Sequence, residues 1–279
     1  MTSTPLIVER TYKAPINRVW EALTNKDQMK AWYFDIEDFN LEKGHRFHFT
    51  GGDEKEQYLH ECEVLEVNAP NKLRHSWTYP EHNDGYSVVT FELFEEGADK
   101  TRVQLRHEGL DSFPKDHPNF AVESFTEGWN YILGESLLKF VEAETIRKSI
   151  SINANPEVIW DIVLHPNDQW GKAFGGGAFT ETTWEPGANV TWTDVDGSIG
   201  AKGVVKEHRV QQYLQVDMIE EDPQAIDLGY SERFSLEKGA DGVNQLTIEA
   251  GPLQKKYIDG HSGPWDEALK IMKELSESK

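Results

Sequence analysis

The chain has 279 residues, a formal net charge of −21 and a hydrophobic content of 38%, with 11% aromatic residues. This acidity argues against binding to nucleic acid or to anionic membrane surfaces, because both require clustered Lys and Arg. The hydrophobic content is sufficient for packed cores and excludes general disorder, and the length favours two domains at roughly 100–200 residues each.

No apolar run reaches the length of about 18 residues that a membrane-spanning helix needs. The first ten residues show no basic region followed by an apolar core, so no signal peptide is predicted. Cys62 is the only cysteine and cannot form an internal disulfide. We therefore expect a cytoplasmic protein in which Cys62 is a buried, unreactive thiol on a strand.

The first half of the chain reads as one strand, two short helices, about six antiparallel strands and a long helix. Asn17 is expected to cap the first short helix, which carries Val19, Trp20 and Leu23. The strands are separated by Asn, Pro, Asp and Gly turns. The first strand is predicted at 6–12, an extended segment at 34–41, and the further strands at 46–50, 56–67, 72–79, 86–95 and 101–108.

Residues 125–142 form the long helix, because their apolar side chains follow the i, i+4, i+7, i+8 spacing of one helical face. Gly128 and Gly134 interrupt this face, and each costs about 1 kcal/mol relative to alanine inside a helix. Two interpretations stay open for them. They allow close packing against a strand, or they leave room for a ligand beside Trp129.

The same order of elements then repeats, with equivalent residues separated by about 140 positions. The second copy ends in a helix that we expect to be shorter than the first, and residues 171–177 depart from the pattern of the first half. We predict two domains, residues 1–144 and 145–279, that pack on each other. The paired residues are Ala14 and Trp20 with Ala154 and Trp160; Gly44, Phe47 and Phe49 with Gly187, Val190 and Trp192; Tyr86–Ser87 with Tyr230–Ser231; Val103 and Leu105 with Leu246 and Ile248; and Trp129 and Leu133 with Trp265 and Leu269.

The first half resembles the START-like, helix-grip superfamily, also called SRPBCC. It is most similar to the branch named after the C-terminal domain of the activator of heat-shock protein 90 ATPase. The resemblance covers nearly all of residues 5–142. It is carried, in order, by residues 14–23, 29–32, 42–44 with Phe47, 63–67, 70–73 with Trp77, 88–93, 101–110 and 128–138.

The resemblance implies an α+β fold of the helix-grip (START-like or Bet v 1-like) type, present twice. In this fold a curved antiparallel sheet wraps around the long C-terminal helix and leaves a deep cavity between them. Such cavities bind lipids, sterols, polyketides and other apolar molecules in the superfamily. The co-chaperone's separate N-terminal domain has no counterpart in this chain, so the fold alone does not imply chaperone activation.

Large aromatic side chains from elements that should face the helix are the candidate cavity walls. Each of them also fits ordinary core packing. His107 ends a strand just before the Gly109 turn, and we expect it near the cavity mouth, where an imidazole could bind a ligand or transfer a proton. The ligand-binding candidates are Trp32, Phe47, Phe49, Trp77, Phe91, His107, Trp129 and Leu133 in the first half, and Trp170, Phe174, Trp192, Tyr230 and Trp265 in the second.

Further polar groups are candidates for the same cavities. They are His48, His75, Ser76 or Thr90 and Arg106 in the first half, and Arg233, Glu249 and His261 in the second.

No catalytic, cofactor or metal site is predicted. The sequence has no Gly-x-Ser-x-Gly, no Walker loop and no dinucleotide-binding glycine pattern after a strand. Three hypotheses follow. The first is binding of a small, largely apolar ligand without reaction. The second is an enzyme, a cyclase, dehydratase or hydrolase, that uses the same cavity. The third is a protein-interaction role, with a chaperone partner or self-association.

Overall fold

The computed structural model describes residues 4–52, 56–82, 85–115, 117–219, 228–239 and 242–279. It divides into two compact units, residues 1–142 and 143–279, each with its own hydrophobic core. Both units are α+β and contain one antiparallel sheet and a C-terminal helix. The predicted fold class, a helix-grip fold present twice, is confirmed. Within the described residues, no helix is long and apolar enough to cross a membrane.

The first domain has a six-stranded sheet with the order β1-β6-β5-β4-β3-β2. The strands are β1 (Leu6–Tyr12), β2 (Arg46–Gly52), β3 (Gln57–Asn68), β4 (Lys72–Trp77), β5 (Ser87–Gly97) and β6 (Lys100–Glu108). Two short helices, α1 (Ile16–Thr24) and α2 (Lys26–Trp32), connect β1 to β2. Asn17 does not cap α1, because Pro15 occupies that position; Asn25 caps α2 through the backbone N–H groups of Asp27 and Gln28.

The long helix of the first domain runs from residue 122 to residue 141 in three parts. These are α3 (Val122–Tyr131), a π-helical segment (Ile132–Leu137) and α4 (Leu138–Val141). The π segment contains Gly134, whose Cα lies so close to Arg10 that an added Cβ would come within 3.1 Å of Nε. Gly134 therefore fits the packing interpretation. The Tyr12 hydroxyl donates to the Leu133 carbonyl in the same turn (2.9 Å).

The second domain repeats this arrangement with a seven-stranded sheet, β7-β13-β12-β11-β10-β9-β8. Its strands are β7 (Glu144–Ile152), β8 (Phe179–Thr180), β9 (Asn189–Thr193), β10 (Ile199–Arg209), β11 (Tyr213–Met218), β12 (Ser231–Lys238) and β13 (Asn244–Leu253). Its helices are α5 (Pro156–Leu164) and α6 (Lys255–Glu277). The expectation of a shorter C-terminal helix is wrong: α6 has 23 residues and continues through Pro264, although an interior proline removes a backbone donor and crowds the preceding turn.

Cross-strand pairing gives the residue equivalence between the two sheets and corrects one sequence-based pair. Ser87 lies opposite Trp77 on β4, and Tyr230 lies opposite Met218 on β11, where the Met218 N–H donates to the Tyr230 carbonyl. Ser87 is therefore equivalent to Tyr230, one position away from the predicted match of Tyr86 with Tyr230. By the same register, the row His75–Val89–His107 corresponds to the row Val216–Glu232–Ala250.

Candidate functional site

The first domain contains a cavity of about 320 Å³ between the sheet and the N-terminal half of the long helix. Its volume falls within the range of about 300–1,000 Å³ that is typical of small-molecule sites. Seven of its thirteen lining residues carry aromatic rings, and none carries a formal charge at neutral pH. The lining residues are Phe34, Gly51, Gly52, Tyr58, His60, Trp77, Tyr79, Asn119, Ser124, Phe125, Gly128, Trp129 and Ile132.

One face of the helix supplies five of these residues: Ser124, Phe125, Gly128, Trp129 and Ile132. Gly128 lies at the centre of that face and is exposed at the mouth of the cavity. A Cβ atom added at Gly128 would meet no other atom within 4 Å. This position therefore fits the interpretation in which a missing side chain leaves room beside Trp129.

A chain of hydrogen bonds positions the two tryptophans of the wall. The Trp129 indole N–H donates to His107 Nδ1 (3.1 Å), so Nδ1 carries no proton and the proton of the neutral ring is on Nε2. His107 Nε2 then donates to the Ser87 hydroxyl (2.8 Å), which donates to the Trp77 carbonyl (2.9 Å). The Trp77 and Trp129 rings meet at 5.3 Å in an edge-to-face arrangement.

The prediction that His107 lies near the cavity mouth is wrong. Its side chain is fully buried, and both of its ring nitrogens are engaged. Burial, and then the nearby His75, lower its pKa to about 3, so the ring is neutral at physiological pH. The long helix covers this strand end, which the sequence alone did not indicate. His107 therefore holds the cavity wall in place and does not contact the cavity itself.

The other candidates of the first domain have different surroundings. Trp77 and Trp129 line the cavity, whereas Leu133 is fully buried outside its lining. A separate internal gap of only about 20 Å³ has four of the candidates among its lining residues. That volume is close to the size of a single water molecule, so these four side chains act as core packing. They are Trp32, Phe47, Phe49 and Phe91.

Sequence analysis missed His60, which lies at the wall of the cavity. Its ring stacks on Phe49 with centroids 4.4 Å apart, and its buried Nδ1 has no hydrogen-bond partner among the described residues. Burial lowers its pKa to about 4, against a smaller opposing effect of the Tyr58 and Phe49 backbone. The alternation Tyr58, His60, Cys62 and Val64 along β3 could have identified it, because all four are buried on the same face.

At the cavity mouth, Asn119 Nδ2 donates to the Tyr58 hydroxyl (2.7 Å) and to Glu56 Oε2 (3.1 Å). His48 and Arg106, predicted as polar cavity groups, are exposed; His48 Nδ1 lies 3.2 Å from Asp38 Oδ2, and Arg106 forms an ion pair with Glu108. His75 is buried and lines the small gap. Among the described residues, no group of three His, Cys, Asp or Glu side chains has a geometry that could hold a metal ion.

In the second domain two of the aromatic candidates pack against a third, Trp265, which is 1% exposed. Its ring centroid lies 4.7 Å from that of Phe174 and 6.2 Å from that of Trp170. Trp192 packs over Gly203 on the inner face of the sheet, and Tyr230 lies on the same face. Of the predicted polar groups, Arg233 and Glu249 pair with each other on the outer face at 3.7 Å, and His261 lies on α6.

Comparison with known proteins finds one family whose sequence model matches the first domain. The sequence model of the activator of Hsp90 ATPase homolog 1-like protein family matches residues 13–142, nearly the whole domain. The resemblance predicted for this half of the chain is thereby confirmed. No curated protein matches the sequence.

Solved structures similar to the chain include single-domain and two-domain proteins. Protein BH1534 from Bacillus halodurans is 27% identical; the alignment covers 50% of this chain and 99% of that protein, with a TM-score of 0.40. The Hsp90 activator PFC0360w from Plasmodium falciparum is 19% identical, with 48% and 91% covered and a TM-score of 0.37. The di-domain ARO/CYC StfQ from the steffimycin biosynthetic pathway is 11% identical, with 98% of both chains covered and a TM-score of 0.41.

Proposed function

Residues 13–142 match the sequence model of the activator of Hsp90 ATPase homolog 1-like family, and we propose that this domain binds a small, neutral, largely aromatic molecule in its cavity. The observation that carries the proposal is a cavity of about 320 Å³ with seven aromatic rings and no charged side chain in its lining. Planar aromatic walls favour planar ligands through stacked and edge-to-face contacts. A charged ligand would lose its hydration without gaining a counter-ion.

Polar groups in the wall support a ligand that also has a hydroxyl group. His60 Nδ1 has no partner among the described residues, and a buried polar atom without a hydrogen bond costs about 1–3 kcal/mol. A neutral imidazole offers one acceptor nitrogen and one donor nitrogen. A hydroxyl group on the ligand can act in either role, so it complements either tautomer of His60.

The neutral fluorescent dye Nile red, titrated against the full chain, tests this proposal. Gly128→Trp places an indole at the cavity mouth and should weaken dye binding at least tenfold. Gly128→Ala is the matched control, because its Cβ meets nothing within 4 Å, and it should bind within twofold of the wild type. Equal binding by the wild type and Gly128→Trp would place the dye elsewhere, and absent binding by the wild type would reject the proposal directly.

The alternative is an enzyme that uses the same cavity, and the unpartnered Nδ1 of His60 within the described residues is the observation that favours it. An imidazole beside a bound molecule can transfer a proton, although the low pKa of about 4 makes His60 a weak base. His60→Gln should then abolish turnover of a small molecule that co-purifies with the chain, while binding of that molecule is retained. If the wild type returns that molecule unchanged, the enzyme alternative fails. A chaperone partner, self-association and packing of the two domains stay predictions.

A further inference from the structure

The second domain differs from the first at the positions equivalent to the hydrogen-bond chain that holds the cavity wall. Ala250 stands where the first domain has His107, and Tyr230 stands where it has Ser87. Glu232 takes the place of the apolar Val89. The second domain has therefore lost the imidazole and gained a carboxyl group on the inner face of its sheet.

Glu232 is a carboxyl group surrounded largely by uncharged protein atoms. The Tyr230 hydroxyl donates to its Oε1 atom (3.1 Å), and Glu232 forms no ion pair with any residue in the described ranges. Its cross-strand neighbours are Val216 and Ala250, which are both apolar. Burial raises its pKa to about 7. The ionised form of such a carboxyl group is disfavoured, so it takes up a proton near neutral pH unless a cation joins it.

Trp265 provides a second, independent observation on the same face. Its counterpart Trp129 donates its indole N–H to His107, but the Trp265 Nε1 atom is buried with no hydrogen-bond partner in the part of the chain that the structure describes. The equivalence rests on contacts as well as sequence. Trp265 packs against Phe234 at 5.8 Å, and Trp129 packs against the equivalent Phe91 at 6.0 Å.

Solvent reaches this part of the inner face. Trp192, Met218, Tyr230 and Glu232 are all partly accessible. Deeper residues of the same face are buried, including Val216, Phe234, Leu236 and Ile248. A small molecule that enters there would meet aromatic rings, the carboxyl group of Glu232 and the Tyr230 hydroxyl.

We propose that the second domain has its own ligand site, in which Glu232 binds the ammonium group of an aromatic amine. The amine would supply the cation that the described residues do not provide, and its ring would lie against partly accessible side chains of the same face, the ring of Tyr230 and Met218. An oxygen atom on a larger ligand would in addition accept from the Trp265 N–H, a contact that binding of the ammonium group to Glu232 does not require. The two domains would then differ in ligand class, neutral in the first and cationic in the second, and this site does not depend on the function proposed for the first domain.

Calorimetric titration of the full chain with phenethylamine and with its neutral analogue 2-phenylethanol tests this site. The Gly128→Trp background blocks the cavity of the first domain, so only the second domain contributes. An alkylamine has a pKa of about 10, like lysine, and is charged at pH 8. Phenethylamine should bind, and 2-phenylethanol should bind at least tenfold more weakly.

Glu232→Gln is the decisive variant, because the amide keeps the shape of the side chain and still accepts from Tyr230. It should weaken phenethylamine binding at least tenfold. The matched control is Glu237→Gln, the same change on the exposed end of the same strand, which should bind as the parent does. Absent phenethylamine binding, equal binding of amine and alcohol, or unchanged affinity in Glu232→Gln would each overturn the proposal. A Nile red titration without Gly128→Trp would then report on the first domain separately.

Discussion

Replacing each of the two equivalent tryptophans by phenylalanine should have unequal costs. Both changes remove the same ring atoms from a buried site, because Trp129 and Trp265 are 2% and 1% exposed. Trp129→Phe also removes the donor to His107 Nδ1, whereas Trp265→Phe removes an N–H that has no partner among the described residues. An unpaired buried acceptor costs about 1–3 kcal/mol. Trp129→Phe should therefore lower the free energy of unfolding of its domain by about 1–3 kcal/mol more than Trp265→Phe does.

Native-state hydrogen exchange with mass spectrometry suits this comparison, because it reads the opening of each domain separately within the full chain. Slowly exchanging amides of β5 report on the first domain and those of β12 on the second. A double-mutant cycle with His107→Leu isolates the bond: with His107 absent, the extra cost of Trp129→Phe should disappear. Equal costs for the two tryptophans, or no coupling between His107 and Trp129, would refute the positioning role of His107.

Three further predictions concern pH, the thiol and the helix. Burial lowers the pKa of three histidines of the first domain far below 6.5, and these are His60, His75 and His107. Because the unfolded chain binds their protons more readily, the first domain should lose roughly 4 kcal/mol per pH unit between about pH 6 and pH 4. Glu232 changes the stability of the second domain in the opposite direction. Its pKa in the folded state is about 7, above the usual 4.5, so the second domain should become more stable as the pH falls from 7 towards 4.5. Calorimetric unfolding at pH 7.5 and 5.5 should show the two domains moving in opposite directions. Burial raises the pKa of Cys62, so a thiol reagent such as DTNB should react only after unfolding, and rapid native reaction would contradict this. Gly134→Ala should not raise the free energy of unfolding by the roughly 1 kcal/mol that alanine gives elsewhere in a helix, because its Cβ crowds Arg10. A urea midpoint that rises as much as that of Gly128→Ala would show that Arg10 moves freely.

Periodicity was sufficient to predict most elements of this fold. Leu6–Tyr12 has the predicted bounds, and the two short helices of the first half are followed by five antiparallel strands where about six were expected. The helix ends were harder to predict, because a single proline or asparagine is weak evidence for where a helix begins or ends. Pro264 lies inside a continuous helix, and Pro15 takes the capping position predicted for Asn17. The packing of a whole helix therefore decides where it begins and ends more than any single residue does.

The site was less predictable, because it depends on which strand faces meet the helix. Trp77 and Trp129 were identified from the aromatic pattern, and both line the cavity. Trp32, Phe47, Phe49 and Phe91 have the same pattern, yet they surround only the small gap, since a ring in a wall and a ring in a core have the same sequence signature. Only the strand pairing shows that Ala250 stands in the second domain where the first domain has His107.

Native mass spectrometry of the gently purified full chain tests the central claim most directly. If the first domain binds a small neutral aromatic molecule, the wild type should carry a discrete adduct above 31.9 kDa that extracts into organic solvent. The adduct should be retained by Gly128→Ala and lost from Gly128→Trp. An adduct that persists in Gly128→Trp would place the ligand outside this cavity. A bare chain mass, together with no Nile red binding, would contradict the ligand-binding function.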